Sequence, residues 1–424
     1  MNSDSTGQDA AAGLGAGSVP AVPITVATVR QARDELRGVI RETPMSGARW
    51  LADRVGGPVW LKCENLQRAG SFKIRGAYTR MARLPPGDRV RGVVAASAGN
   101  HAQGVAVAAQ LLGITATVFM PEGAPLPKVS ATRAYGADVR LAGSSVDEAL
   151  GHAVAFAEAT GAVLIHPFDH ADIVAGQGTV GLEILEQCPD VRTVVVAAGG
   201  GGLLAGIALV LKQLRPEIRV VGVQAAGAAA LPASLAAGHP VPLSTTTTMA
   251  DGIAVGRPGE LTVELVRRYV DEITTVSEEQ ISQALLLCLE RAKLVVEPAG
   301  VVSVAALLAG LGGLQPPVVA VLSGGNVDPL LLLRVIRHGM AAAGRYVSLA
   351  VRMADRPGSL ARLLAELGDV GANVVEVEHR RTDPLLAIDE VDVVVAMETR
   401  GPEHCDAVVA RLRERGYAVR DRAD

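Results

Sequence analysis

Between about residues 26 and 340 the chain alternates short β-branched runs with alanine-rich helical stretches, and no other feature narrows its fold as far. Runs at 93–96, 116–120, 163–166, 194–197, 220–224 and 318–322 each end in a loop containing Gly or Pro, and each is followed by a helical pattern. Near-continuous apolar strands joined by helices predict a parallel α/β sheet covered on both faces. Ligands of such sheets lie at the carboxyl ends of the strands. The loops directly after the runs therefore carry the functional expectation, and three of them are conspicuously glycine-rich.

The 424 residues exceed one ordinary domain and lead to an expectation of two or three units. Residues 1–24 are mostly Ala, Gly, Ser and Thr, which bury too little surface to offset the entropy of ordering, so a disordered lead is expected. The main α/β domain is expected over 25–340, with a small subdomain at about 80–160 inserted in it. Thr25 or Thr28 is the expected cap of a helix at 26–40. The stretch 340–344 reads as a linker. Beyond it, strands at 346–353, 373–379, 391–398 and 417–420 and helices at 358–369 and 402–415 give the order βαββαβ. That order predicts a ferredoxin-like unit over 345–424 with its own core.

Composition excludes several classes. Hydrophobic residues make up 49% and charged residues 20%, which supports a large core. Aromatics are only 3%, so that core must be built from Ala, Val, Leu and Ile. A net charge of −4 without a long basic run argues against a nucleic-acid partner. No uncharged apolar run is long enough to span a membrane: the longest, 194–210, is broken by four consecutive glycines. The N-terminus lacks a basic segment followed by an apolar one, so no signal peptide is expected. Cys63, Cys188, Cys288 and Cys405 are far apart, which predicts neither a disulfide framework nor a metal cage and points to a reducing, cytoplasmic setting.

Four motifs carry chemistry. Ser71-Phe72-Lys73-Ile74-Arg75-Gly76-Ala77 holds one of only five lysines among 40 basic residues. A Schiff-base enzyme needs one amine of lowered pKa that can attack a carbonyl and later act as a base. Taken alone, Lys73 is equally an ordinary lysine at a helix N-terminus. Ser97-Ala98-Gly99-Asn100-His101 follows the run 93–96 and opens a helix, whose unsatisfied N–H groups and dipole suit a carboxylate. A plain capped turn would read the same way. Gly199-Gly200-Gly201-Gly202-Leu203 lets the backbone approach a phosphate closely, and the Lys-Ser/Thr of a P-loop is missing. Leu322-Ser323-Gly324-Gly325-Asn326 stands at another strand end, and Glu297-Pro298 precedes a helix.

Together and in this order, over roughly 26–339, these motifs resemble the fold-type II pyridoxal-phosphate enzymes. Within them the chain is most similar to the threonine dehydratases, also called threonine ammonia-lyases, with serine dehydratases and serine racemases as near relatives. The resemblance implies two open, mainly parallel α/β subdomains and the cofactor pyridoxal 5′-phosphate. It implies that Lys73 bonds the cofactor and later moves the Cα proton, with Ser97 beside it as a catalytic group. Phe72 would pack on the pyridine ring and Asn100 would hydrogen-bond its 3-oxygen. Ser97, Ala98, Gly99, Asn100 and His101 would take the substrate carboxylate, and Gly199, Gly200, Gly201, Gly202 and Leu203 the phosphate. Ser323 would face the pyridine nitrogen, and Glu297 would lie close to the ring. The implied reaction removes water and ammonia from L-threonine to leave 2-oxobutanoate, with L-serine as a second substrate. A neutral Ser323 cannot keep the pyridine nitrogen protonated, which makes a weaker electron sink and favours elimination.

Two departures bear on the outcome. Serine racemases carry a second serine where Ala98 stands, and alanine has no proton to deliver to the opposite face of Cα. The racemase-like subset also carries acidic metal ligands where 224–230 here has no carboxylate, so no divalent metal is expected. The C-terminal unit resembles an ACT domain through Asp355-Arg356-Pro357-Gly358-Ser359-Leu360 and Gly371-Ala372-Asn373-Val374. Asp355, Pro357, Gly358 and Asn373 are its candidate amino-acid effector residues, and a purely structural dimerisation module is the alternative. The resemblance further implies a homodimer or homotetramer. A racemase or a non-catalytic amino-acid sensor on the same fold stands as the competing reading.

Overall fold

The computed structural model describes residues 24–381 and 386–421. Apart from Ile24, the lead expected over 1–24 lies outside the described residues. The described chain forms two compact units that divide after Pro329.

The first unit holds two sheets. The larger has six strands in the order Met45–Gly47, Val59–Cys63, Val318–Leu322, Thr193–Ala197, Arg219–Ala225 and Glu272–Val276. Only the first pair is antiparallel. The smaller has four parallel strands in the order Asp138–Leu141, Ala116–Met120, Val93–Ala96 and Val163–Leu164. The central strands are buried along their whole length, as their Val/Ala/Leu sequences require, and helices cover the sheets. Burial of each Val or Leu contributes roughly 1.5–3 kcal/mol, so alanine-rich helices with few aromatics still suffice.

Local chemistry sets several boundaries. The helix Val26–Glu35 is capped reciprocally by Thr25 and Thr28, and it stops short of residue 40 because Gly38 turns the chain at φ 76°. The strand expected through 166 ends at Leu164. There His166 Nδ1 accepts the backbone N–H groups of Phe168 and Asp169, and Pro167 has no N–H to continue a ladder. The helix Lys73–Ala82 packs against both Asn100–Leu112 and Ala171–Gln187, which fixes its N-terminus among the strand ends of both sheets.

In the second unit, the strands Asn373–Arg380, Glu390–Glu398, Tyr346–Ala354 and Ala418–Asp421 form one antiparallel sheet in that order. The helices Ser359–Asp369 and Pro402–Glu414 complete the βαββαβ sequence. Leu349, Val351, Leu363, Leu367, Val393, Val395 and Val408 fill its separate core. The helix Pro329–Ala342 falls with this unit from Leu330 on, and the stretch 340–344, expected as a linker, is that helix's end and the Gly344 turn.

Candidate active site

Lys73 is the first residue of its helix, and the segment before it is stitched to the 323–326 turn. Phe72 N donates to Ser323 O at 3.2 Å, and Ser71 bridges Gly324. The Lys73 amine is partly buried and donates to Pro167 O at 2.9 Å, with its nitrogen 5.3 Å from the centre of the Phe72 ring. Burial strips water from the ammonium and lowers its pKa to about 8, while the Glu297 carboxylate works against the shift.

Asn100 opens the helix after the strand Val93–Ala96. Its Nδ2 donates to Glu297 Oε1 at 2.6 Å, and its Oδ1 accepts from Asn326 Nδ2 at 2.8 Å. Burial, and after it the nearby Asp251 charge, raises Glu297 to about 7. Asp251 is itself ion-paired to Lys128. Ser97 Oγ accepts the Gly99 N–H at 3.1 Å, so the loop Ser97, Ala98, Gly99 is tightly wound. The His101 ring turns into the interior, where Nε2 meets Ile165 O at 2.8 Å, and burial pushes its pKa down to about 3. His101 can therefore offer a ligand only its main chain, because a helix-face position two residues past the turn points the side chain to the core.

Gly199, Gly200, Gly201, Gly202 and Leu203 link the strand Thr193–Ala197 to the helix Gly202–Leu214. A Cβ on Gly200 would lie 2.3 Å from the Phe168 ring. Thr262 Oγ1 donates to Gly200 O at 2.7 Å, which pins the loop from outside. Ser323, at the end of the strand Val318–Leu322, is buried. Asn100, Glu297 and the 323–326 turn are thus directly hydrogen-bonded, Lys73 is tied to that turn through Ser71 and Phe72, and the glycine loop meets them through the segment Pro167, Phe168, Asp169. That last segment, together with Asp251 and Thr262, is not among the residues singled out by sequence, and Asn326 stands there only as the end of its motif, with no role assigned. His166-Pro167-Phe168-Asp169 does follow a strand end, which was the available signal.

The family model described as pyridoxal-phosphate-dependent enzyme matches residues 36–324, and the ACT domain model matches residues 347–413. The chain belongs to the pyridoxal-phosphate-dependent enzymes. It is 46% identical over 397 residues to L-threonine ammonia-lyase of Thermotoga maritima, covering 94% of this chain and 99% of that one. It is also 43% identical over 310 residues to the catabolic L-threonine dehydratase of Escherichia coli, covering 72% of this chain and 94% of that one. Among solved structures, the processed form of threonine deaminase isoform 2 from Solanum lycopersicum superposes with a TM-score of 0.69 at 38% identity, over 74% of this chain and 95% of that one. Maize serine racemase superposes with a TM-score of 0.70 at 36% identity, over 73% of this chain and 96% of that one.

The residues present fit the cofactor of this pyridoxal-phosphate enzyme. A partly buried amine of lowered pKa suits a carbonyl partner. A glycine loop with no room for a Cβ, at the N-terminus of a buried helix, suits a phosphate. Gly200→Ala should weaken pyridoxal phosphate binding by on the order of tenfold or more, because the methyl group must displace Phe168 at a typical overpacking cost of about 1–3 kcal/mol. Equilibrium dialysis of the apoenzyme checks this, and an unchanged Kd would refute the cradle.

In the ACT unit, Asp355 is held by Arg381 at 2.7 and 3.1 Å, and Asn373 Nδ2 donates to Glu398 Oε2 at 2.9 Å. Pro357 and Gly358 form the turn into the helix Ser359–Asp369, with Gly358 at φ 85° as its N-cap. Both polar candidates are thus engaged within the unit.

Proposed function

We propose that this enzyme removes water and ammonia from L-threonine to give 2-oxobutanoate, that L-serine is a second substrate, and that pyridoxal phosphate is held at Lys73. The single observation that carries the reading is the Lys73 amine, partly buried, depressed in pKa and enclosed by the Asn100, Glu297 and 323–326 elements. The relatives named for threonine deamination support the choice of substrate.

When bound, the cofactor withdraws electrons from Cα and makes its proton acidic. Lys73 takes that proton. Phe72 would pack on the cofactor ring, Ser323 would face its pyridine nitrogen, Asn100 would hydrogen-bond its 3-oxygen, and Gly199, Gly200, Gly201, Gly202 and Leu203 would hold its phosphate. The loop Ser97, Ala98, Gly99, Asn100 and His101 orients the substrate carboxylate through main-chain N–H groups, with the Ser97 hydroxyl alongside. Glu297, raised to about 7, accepts from Asn100 and is about half ionised near neutral pH. Ser323 presents a hydroxyl and no negative charge, which favours loss of the β-hydroxyl. Ala98 lacks a proton for the opposite face of Cα, which disfavours racemisation. The ACT unit offers the turn at Asp355, Pro357 and Gly358 and the start of the strand at Asn373 to an amino-acid effector, and the enzyme assembles as a homodimer or homotetramer.

Keto-acid release from L-threonine and L-serine, with chiral analysis of the serine reaction, tests this. L-threonine should give 2-oxobutanoate with D-serine as at most a trace product from L-serine. D-serine as the main product would overturn the reading in favour of a racemase.

A further inference from the structure

Asn326 is the last residue of the 322–326 motif and has no role in the function proposed above. Its Nδ2 donates two hydrogen bonds, to Ala69 O at 2.6 Å and to Asn100 Oδ1 at 2.8 Å. Ala69 precedes Lys73 by one short turn and sits at φ 60°, a left-handed conformation uncommon for a residue with a side chain. That conformation aims its carbonyl at Asn326. Gly70 leaves the space, since a Cβ there would lie 2.2 Å from Asn326 Oδ1.

The orientations follow in sequence from one fixed point. A backbone carbonyl only accepts, so Ala69 O requires the NH₂ end of Asn326. The second N–H of that NH₂ then requires an acceptor, so Asn100 must present Oδ1 to it. The Asn100 NH₂ is thereby turned the other way, toward Glu297 Oε1 at 2.6 Å. Gly324 keeps this last bond clear, because a Cβ on it would lie 2.1 Å from Glu297 Oε1. Either end of an amide fills its site equally well, so packing alone would not choose between the two orientations of Asn100.

We infer that Asn326 is a positioning residue that fixes which end of the Asn100 amide faces the cofactor, holding it as a hydrogen-bond donor through a relay that starts at the Ala69 carbonyl. This rests on the reading of Asn100 as a cofactor partner. Asn326 touches neither the reacting atoms nor Glu297 and acts only through Asn100.

The test is a double-mutant cycle on the holoenzyme. Asn326→Asp replaces the donor by a carboxylate facing two acceptors, so Asn100 must rotate and present its oxygen to Glu297 and the cofactor. Asn326→Asp should shift the absorbance of bound pyridoxal phosphate and its pH dependence, and weaken pyridoxal phosphate affinity by on the order of tenfold to a hundredfold, the range typical for removing a partner that orients a ligand-holding side chain. Asn326→Ala should shift both less, since it forces no rotation. In an Asn100→Ala background the same changes should have no further effect on spectrum or affinity. Additive effects in that background, or a native spectrum and affinity in Asn326→Asp, would overturn the inference. If Asn326→Asp does not fold, Asn326→Ala takes its place in the cycle under the same criterion. Asn100→Ala with a native spectrum would instead overturn the underlying reading of Asn100, so the two failures are distinguishable.

Discussion

Lys73→Ala should abolish L-threonine turnover, lowering kcat by about 10⁴-fold or more, near the upper end of what one positioned acid–base group contributes. No other lysine can take over. Lys62 is locked in a buried ion network, Lys128 is paired with Asp251, Lys212 with Asp271, and Lys293 donates to Glu290 O. The vacated space beside Pro167 is sized for an amine, so a small added amine should restore part of the activity. Rapid-quench measurement of 2-oxobutanoate with and without methylamine checks both halves. Retention of more than a few per cent of kcat would remove Lys73 from its role.

The pH dependence of cofactor capture follows from the same burial. Only a neutral amine attacks a carbonyl, so the rate at which apoenzyme reacts with pyridoxal phosphate should rise with pH around a midpoint of about 8, against the ordinary lysine value of 10.5. Glu297 is the one group holding that value up. It titrates at about 7 and is therefore mainly ionised at the Lys73 midpoint. Glu297→Gln removes its charge and should move the midpoint lower still. A midpoint near 10 in the native protein would contradict the buried geometry, and an upward move in Glu297→Gln would contradict the assigned sign.

How far the sequence discloses this depends on whether a feature is local. The strands at 93–96, 116–120 and 318–322 are found residue for residue where the apolar runs lie, because each is buried on both faces and bounded by glycine or proline. Val59–Cys63 is an interior strand too, yet Lys62 interrupts its apolar pattern and Trp60 is 37% exposed, so it gives no clean run. Glu272–Val276 lies at the sheet edge and is only half-buried, so its pattern is weak. The motif residues Lys73, Asn100 and Ser323 are legible because strand-end loops declare themselves by their glycines. Their pairings are not. Pro167 reaches Lys73 across 94 residues and Asn326 reaches Asn100 across 226, and no spacing rule connects such positions. Arg75 was visible within the first motif, but its role needed the fold.

Arg75→Met should destabilise the protein by about 3–5 kcal/mol, the cost of removing one partner from a buried ionic pair. The guanidinium is completely buried and spends all five of its N–H groups. Nε and Nη2 donate to the two Glu64 oxygens at 2.8 Å each, Nη1 and Nη2 to the Glu183 oxygens at 2.6 and 3.0 Å, and Nη1 to Thr179 at 3.0 Å. Lys62 adds the second positive charge, donating to Glu183 at 2.5 Å, Thr43 O at 2.7 Å and Gln187 at 2.9 Å. Two cations and two carboxylates balance, and methionine would leave one carboxylate uncompensated. Burial opposes the charge on Arg75, but Glu64 and Glu183 outweigh it and hold its pKa above the ordinary arginine range. Burial likewise opposes ionisation of Glu183, yet Arg75 and Lys62 keep its pKa below the ordinary value. A depressed carboxylate contributes stability above its unfolded pKa and loses it as pH falls, so wild type should weaken toward acid. In Arg75→Met, Glu183 loses the stronger of its two compensating cations and takes up a proton more readily as pH falls, which relieves the buried charge. The stability gap between the two proteins, read from urea unfolding, should therefore narrow from pH 8 to pH 5. Arg75→Lys should recover only part of the loss, since three donors on a point charge cannot meet five acceptors in a plane. Arg75 lies in the first turn of the Lys73 helix, so the variants should also bind pyridoxal phosphate more weakly in the order Met, Lys, wild type. A gap under about 1 kcal/mol, the level of a surface pair, or one that widens toward acid, would show that the network does not anchor this helix.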